Sequence, residues 1–580
     1  MEHPQTGSVQ DDRRASRGVL AWYALATLLA VFTYFYGLDS DHIPKNGDEY
    51  PYAHITRITA HSGHLLPLQT ELENMRNTKP PMLFWQGIVS TNWAKNWTLW
   101  HLRYPSVIYT LLTAAMLFLL GWKLSRKLET GFLALLVFLA FFSTYRYGRP
   151  FLTNPPEVFW LFVPFFVLLY WRPGAFASRF LLPVLLGLAV GVGLLYKSFA
   201  LAVPVGLALA WWYLHQRQYR WVAFLIGDVW KVALLVCTAL AVFGLWFLLD
   251  PNPSAIVRDF ILRENLKKFD PNGPSYLSTM LWGGSSIWSL GLGYLLNSGL
   301  LAFIVAALGF VACKRRAQMA DEEKLLWIWV VTLFIVFSLP SQRDERYLLP
   351  AMPALAVLCA LNWHRISRKV YVATLVAVGG VMALLAYLSV RLEHGIVEAQ
   401  VYPFTYWLLL LGAAILILLG LARPKLTTRI VNVAVLLVFL SFAGFMRPLD
   451  KRFGVYSRET QEYVKGKDVW VPTNFTAKEE GHRFFLPGAN LHAYPRDSNL
   501  SLAALSERYR LFTVTLPIHS PDPAGKIIGQ RLDVGGRHSS SQIKAMLRGK
   551  VFENLFVREL LIEAPGPAPS AATTSAGSNR

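Results

Sequence analysis

The stretch VLAWYALATLLAVFTYFYGL, residues 19–38, runs without one charged side chain. As a helix it rises about 30 Å, the thickness of a bilayer's hydrocarbon core. Arg13, Arg14 and Arg17 precede it, and no small-residue cleavage site follows, so it is expected to remain as a span. The same criterion selects about thirteen segments along the chain. They lie near residues 19–38, 104–122, 131–144, 157–170, 180–196, 198–214, 226–249, 291–312, 325–340, 347–362, 370–390, 404–422 and 430–446. The 580 residues are 54% hydrophobic and 14% aromatic, with a mean hydropathy of +0.36. These values exclude an ordinary soluble globular protein. The predicted fold is a polytopic α-helical membrane protein of about thirteen transmembrane helices, carrying a small C-terminal α/β domain.

The net charge of +20 is explained by placement and does not imply nucleic acid. Short basic loops recur between alternate spans: KLSRKLE (123–129), WRPGAFASR (171–179), HQRQYR (215–220), CKRRAQMADEEK (313–324), HRISRK (364–369) and ARPKLTTR (422–429). By the positive-inside rule these face the cytoplasm together with an N-terminal tail, residues 1–18. The loops 39–103, 145–156 and 250–290, and everything after 446, then fall on the outer face. Residues 447–562 read as a soluble domain with strand-length runs in KDVWVPT and RYRLFTVTLP, and the Pro/Ala/Ser-rich tail 563–580 reads as disordered. Cys237, Cys313 and Cys359 fall in or beside spans, as small buried hydrophobes do.

The chemistry-bearing residues collect in the outer loops. In NGDEYPYAHI (46–55), Asp48 and Glu49 could serve as a general base, bind a cation, or cap the helix expected over PYAHITRITAHSGHLL. Lys79, in NTKPPMLFWQG, could hold a lipid phosphate or simply snorkel. Glu157, close to Arg146, Arg149 and Asn154, is either an N-terminal helix acid or a second site carboxylate. FILRENLKKFD supplies Arg263, Glu264, Lys267 and Lys268, and SQRDERYLLPAMP supplies Arg343, Asp344, Glu345 and Arg346. Lys197, between two apolar runs, is expected mainly to snorkel. His54, His61 and His64 share nearly one helical face and are the weak candidates for a metal. Gly187, Gly191 and Gly193 have the spacing that packs helices.

Taken in order, GDEYPYAHI, KPPMLFW, NPPE, YKSFALAVP, FILRENLKKF and RYLLPAMPALA resemble the C-type glycosyltransferases of the protein O-mannosyltransferase and lipid A aminoarabinose transferase class. The resemblance covers roughly residues 19–450. It implies an enzyme dependent on a polyprenyl-phosphate sugar, with residues 19–446 as the glycosyltransferase domain. Asp48 takes the place of the family's catalytic acid, with Glu49 and Glu157 as further catalytic candidates. Lys79 and Lys268 are expected to hold the donor phosphate, with Arg263, Arg346 and Lys197 as further cations for it. The chain departs from the family where no arginine follows the acid pair, where Asn154 stands in place of a second acid, and where Lys197-Ser198-Phe199 replaces Lys-Gly-Pro. An arginine of the pattern is Lys268 here.

The implied reaction moves a sugar, aminoarabinose being one candidate, from undecaprenyl phosphate to lipid A or another envelope acceptor. The implied setting is the bacterial inner membrane, with the N-terminus cytoplasmic and the site and C-terminal domain periplasmic. The expected partners are the donor, the acceptor and membrane lipids, with no nucleic acid and a monomeric chain. No cofactor is required, and a divalent metal is optional. Two rivals share the scaffold: a lipid or sugar transporter, and a non-catalytic envelope assembly protein. A transporter would concentrate ionisable groups near the midplane of its spans and often carries inverted repeats.

Overall fold

The computed structural model describes residues 7–44, 46–72, 77–171, 180–265, 276–396, 400–473, 477–495, 500–523, 525–534 and 538–564. Lys268, and residues 565–580 of the tail expected to be disordered, lie outside them. Each of the predicted spans falls on helix. Eight helical stretches are long and apolar enough to cross a membrane, and Leu128–Ala140, Asn154–Tyr170 and Leu181–Tyr196 are apolar but shorter. The chain is thus a multi-pass membrane protein. The span expected at 131–144 is two pieces, because Phe141 adopts an extended conformation between helices Leu128–Ala140 and Phe142–Tyr147.

The chain forms two compact units. The first comprises Met1–Asp39, Ile43–Leu385 and Phe404–Ala443; the second comprises Ser40–His42, Ala386–Pro403 and Gly444–Arg580. In the first, the glycine spacing works as read. A Cβ on Gly187 would lie 2.7 Å from the Leu235 carbonyl, and one on Gly191 would lie 2.6 Å from Val242 Cβ. Only the missing side chains let helix Leu181–Tyr196 approach helix Val229–Leu249 so closely.

The second unit is built on a five-stranded sheet of β1 (Asp468–Thr473), β2 (Asn490–Pro495), β3 (Leu511–Pro517), β4 (Lys526–Val534) and β5 (Phe556–Glu563) in the order β2-β1-β3-β5-β4. β1 is parallel to β2 and β3, whereas β5 is antiparallel to β3 and β4. Alternation along the strands feeds two cores. Val469, Val471 and Leu561 pack with Phe485, while Phe512, Leu560 and Ile562 pack with Tyr494.

A buried polar network crosses this unit. Arg531 makes bonds of 2.8 and 3.1 Å to the Glu559 carboxylate, which also accepts from Tyr456 Oη at 2.9 Å and lies 3.2 Å from His482 Nε2. Burial alone would raise the Glu559 carboxyl, but Arg531 and His482 outweigh it and hold it well below the usual range. A carboxylate depressed in the folded state contributes stability that is fully present above its unfolded pKa of about 4.3 and is lost as pH falls toward the folded value. Acidification below about pH 4 should therefore loosen the unit. Hydrogen exchange of the β3 and β5 amides in the full chain, followed against pH, checks this: Glu559→Gln should speed exchange at neutral pH and flatten its acid dependence.

Candidate active site

The site grows from the start of one helix. Asp48 stands at the N-cap of helix Glu49–His61, yet its side chain makes no capping bond. Instead its carboxylate accepts from Arg346 Nη1 at 2.8 Å, and the pair is partly exposed, at 35% for Arg346 and 48% for Asp48. Asn46 Oδ1 accepts from the Asp48 amide at 3.0 Å and fixes the turn. The capping role weighed for this acid is thereby set aside.

Its neighbour has a different environment. Glu49 is buried and receives Arg103 through two bonds, 2.6 Å from Nε and 2.7 Å from Nη2. The Phe151 amide donates to the same carboxylate at 2.8 Å, and Arg103 Nη1 donates to the Leu38 carbonyl at 3.0 Å. One dipeptide thus carries an accessible acid and an anchored one. Each residue of a helix advances about 100°, which is what turns the two carboxylates apart.

Arg346 opens the 3₁₀ helix Glu345–Ala351, whose N-cap Asp344 accepts from the Arg346 amide at 2.8 Å and lies 3.4 Å from its Nε. Burial would ease the proton from this guanidinium, but Asp48 and Asp344 prevail and raise its pKa further. It is a permanent cation held between two acids.

Two lysines complete the cationic set. Lys79 Nζ donates to Glu264 Oε1 at 3.0 Å and to the Thr78 carbonyl. Glu264 lies in the π-helical stretch Val257–Asn265, beside an exposed Arg263. Lys197 was expected mainly to snorkel; instead its Nζ donates to buried Glu157 Oε2 at 2.7 Å. A lysine between two apolar runs turns inward when a buried carboxylate meets it, and this partner is forty positions away in sequence. Asn154 Nδ2 donates to the same oxygen at 3.2 Å, so the residue in place of the second acid and the lysine meet on the acid one turn later.

These pairs share one region. Lys197 feels the charges of both Arg346 and Lys79, and Glu157 feels Arg346. Tyr52, buried on helix Glu49–His61, is within electrostatic range of Asp48, Arg346 and Glu264. The Tyr347 ring lies 5.8 Å from Lys197 Nζ, and Ser198 Oγ donates to Asn265 Oδ1 at 3.0 Å. A cleft with about 320 Å³ of empty volume, lined by Thr110, Thr113, Tyr147, Asn154, Val158 and Met352 among others, adjoins Asn154. Chemically, this is three cations, each paired with a carboxylate, at the edge of an apolar body, and a phosphate ester could exchange with those carboxylates for the cations.

Of the residues read from sequence, Asp48, Glu157, Lys79, Lys197 and Arg346 come together here, Glu49 braces the loop, and Lys268 lies outside the described residues. The three histidines do not converge. His54 is buried, with its Nε2 accepting from the Glu71 amide at 3.3 Å, while His61 and His64 are exposed. Among the described residues, no cluster of candidate metal ligands includes them. Sequence reading did not single out Arg103 or Tyr347, and gave Glu264 no role beyond its charge cluster.

Comparison with known proteins agrees with the resemblance read from the motifs. Residues 22–256 match the family "Dolichyl-phosphate-mannose-protein mannosyltransferase". An undecaprenyl phosphate-α-4-amino-4-deoxy-L-arabinose arabinosyl transferase of Sodalis glossinidius is 29% identical over 354 residues, 59% of this chain. A protein of the same description from Proteus mirabilis is 27% identical over 412 residues, 67% of this chain. The match spans 59% of the length of the Sodalis protein and 69% of the Proteus protein. Among solved structures, ArnT from Cupriavidus metallidurans bound to undecaprenyl phosphate superposes with a TM-score of 0.59 at 17% identity, over 93% of this chain and 98% of that one. The apo form gives 0.58.

Proposed function

We propose that this chain, which folds as a C-type glycosyltransferase dependent on polyprenyl-phosphate sugars, moves a sugar from an undecaprenyl-phosphate carrier to an envelope acceptor. The names of its relatives make 4-amino-4-deoxy-L-arabinose the first sugar to test, and a lipid A-like molecule the first acceptor. The reaction takes place on the periplasmic face of a bacterial inner membrane, with the N-terminus cytoplasmic and residues 447–562 periplasmic. The chain acts as a monomer, with no nucleic acid among its partners and a divalent metal optional for transfer.

The observation carrying this reading is the grouping of Lys79 and Lys197 with Arg346, which meets Asp48, each cation held by a carboxylate. When the glycosidic bond breaks, negative charge grows on the leaving polyprenyl phosphate. Preset cations stabilise that charge without reorganising at the moment of reaction. Arg346 presents a fork to phosphate oxygens, and the lysines act as point charges. Asp48 orients the acceptor or takes its proton. Glu49 positions that acid through Arg103. Each methylene of the prenyl tail buried between spans contributes about 0.8 kcal/mol to donor binding.

Transfer of labelled sugar by the purified full chain in lipid vesicles is the test. Wild type should transfer sugar from the prenyl-phosphate donor. Lys79→Ala and Lys197→Ala should each lower kcat/KM by roughly 10²-fold, as loss of one charge-stabilising donor does. Movement of the intact lipid-linked sugar across the vesicle without transfer would overturn the reading in favour of a transporter. Full turnover by both lysine variants would overturn the site assignment.

A further inference from the structure

The second compact unit holds another cluster of chemistry-bearing side chains, separate from the site described above. The segment Ser40–His42 belongs to this unit although it follows the first span in sequence. Ser40 Oγ accepts from the His42 amide at 3.1 Å and shapes the turn. The imidazole is buried between two carboxylates. Nδ1 lies 2.8 Å from Asp450 Oδ1 and Nε2 lies 3.4 Å from Asp533 Oδ1, with side-chain exposures of 5–6%. Asp41, itself buried, brings a third carboxylate, so that ligating atoms of Asp41, His42 and Asp533 all lie within 4.8 Å of one another.

We propose that Asp41, His42 and Asp533 bind a divalent cation of the zinc class, with Asp450 orienting the histidine from behind. The donor set is mixed, one imidazole nitrogen and two carboxylates, which suits Zn²⁺ or Co²⁺ better than Mg²⁺ or Ca²⁺. In a tetrahedral site with bonds near 2.0–2.1 Å, ligand atoms stand roughly 3.4 Å apart. The His42 Nε2 to Asp533 Oδ1 separation already has that value. The other ring nitrogen meets the Asp450 carboxylate, the arrangement that fixes the tautomer and raises the basicity of a metal-bound histidine.

Two cations approach Asp533 on the side away from the imidazole. Arg531 lies 4.0 Å from Asp533 Oδ2 but makes its short bonds to Glu559, and Lys478 Nζ reaches Asp533 Oδ2 only at 3.5 Å. Both approach the oxygen that points away from His42. Metal binding needs the neutral imidazole and ionised carboxylates, so uptake should weaken as pH falls. The site would tie the turn after the first span to β4 and to the stretch around Asp450, stabilising the unit in proportion to occupancy.

This inference does not depend on the transfer reaction, and its test reads metal directly. The full chain in detergent, stripped with a chelator and dialysed, is titrated with Zn²⁺ by calorimetry, and its metal content is measured by mass spectrometry. One equivalent should bind, and Co²⁺ should give the visible absorption of a tetrahedral centre. His42→Gln and Asp533→Asn should each weaken binding by more than about 100-fold; Asp450→Asn, which removes no ligand, should weaken it by about 10–100-fold. Size-exclusion profiles show which variants remain folded, and Asp450→Asn and Asp533→Asn carry the test should His42→Gln not fold. Absence of stoichiometric Zn²⁺ or Co²⁺ in wild type would overturn the proposal and leave His42 hydrogen-bonded to its two carboxylates. Binding untouched by Asp450→Asn and Asp533→Asn would overturn it equally.

Discussion

Asp48→Asn will lower sugar transfer by about 10²–10⁴-fold while the chain keeps its fold, because a general base or acceptor-orienting carboxylate contributes on that scale. The substitution preserves shape and removes the charge that Arg346 meets at 2.8 Å. Asp48 is half exposed and makes no capping bond, so its helix loses nothing by the change. With the donor phosphate held by the cations as proposed, the loss should appear in kcat more than in KM. Single-turnover transfer with the donor pre-bound separates the two. Full turnover with Asn at this position would remove Asp48 from the mechanism.

The largest stability effect belongs to the adjacent residue. Glu49→Gln leaves the Arg103 guanidinium buried without its counter-charge, and breaking a buried pair by removing one partner costs about 3–5 kcal/mol. The Phe151 amide and the Leu38 carbonyl are tied to the same pair, so the loop holding Asp48 should loosen with it. Thermal unfolding of the purified chain in detergent should show a clear fall for Glu49→Gln and almost none for Asp48→Asn. Similar midpoints for the two would mean that the acids do not divide the work.

The spans were readable because a transmembrane helix is a local property: twenty apolar residues declare themselves without reference to anything distant. The strands in KDVWVPT and RYRLFTVTLP were readable for the same reason. Asp48, Lys79 and Arg346 could be nominated because their loops carry charge beside the bilayer. Their pairings could not be foreseen. Asp48 meets Arg346 across 298 positions, Lys79 meets Glu264 across 185, and Glu49 meets Arg103 across 54. Which acid satisfies which base is set by helix packing, and no short-range pattern encodes it. Lys197 shows the cost of reading locally, since its flanks suggested snorkelling while the fold supplied Glu157. His42 drew no attention in sequence because Asp450 and Asp533 lie 408 and 491 positions away.

Adjacency itself has a consequence for how this region can vary among related chains. With Glu49 as the fixed datum, the bearing of Asp48 is set by a single peptide link, so the spacing of the acids cannot change, and the residues that follow, Tyr50 and Pro51, are themselves buried. A residue inserted between the two would swing the exposed carboxylate away from its arginine although every side chain survived. A search for kindred chains should therefore require contiguous acids, one wet and one dry, followed by a run of side chains fit for burial.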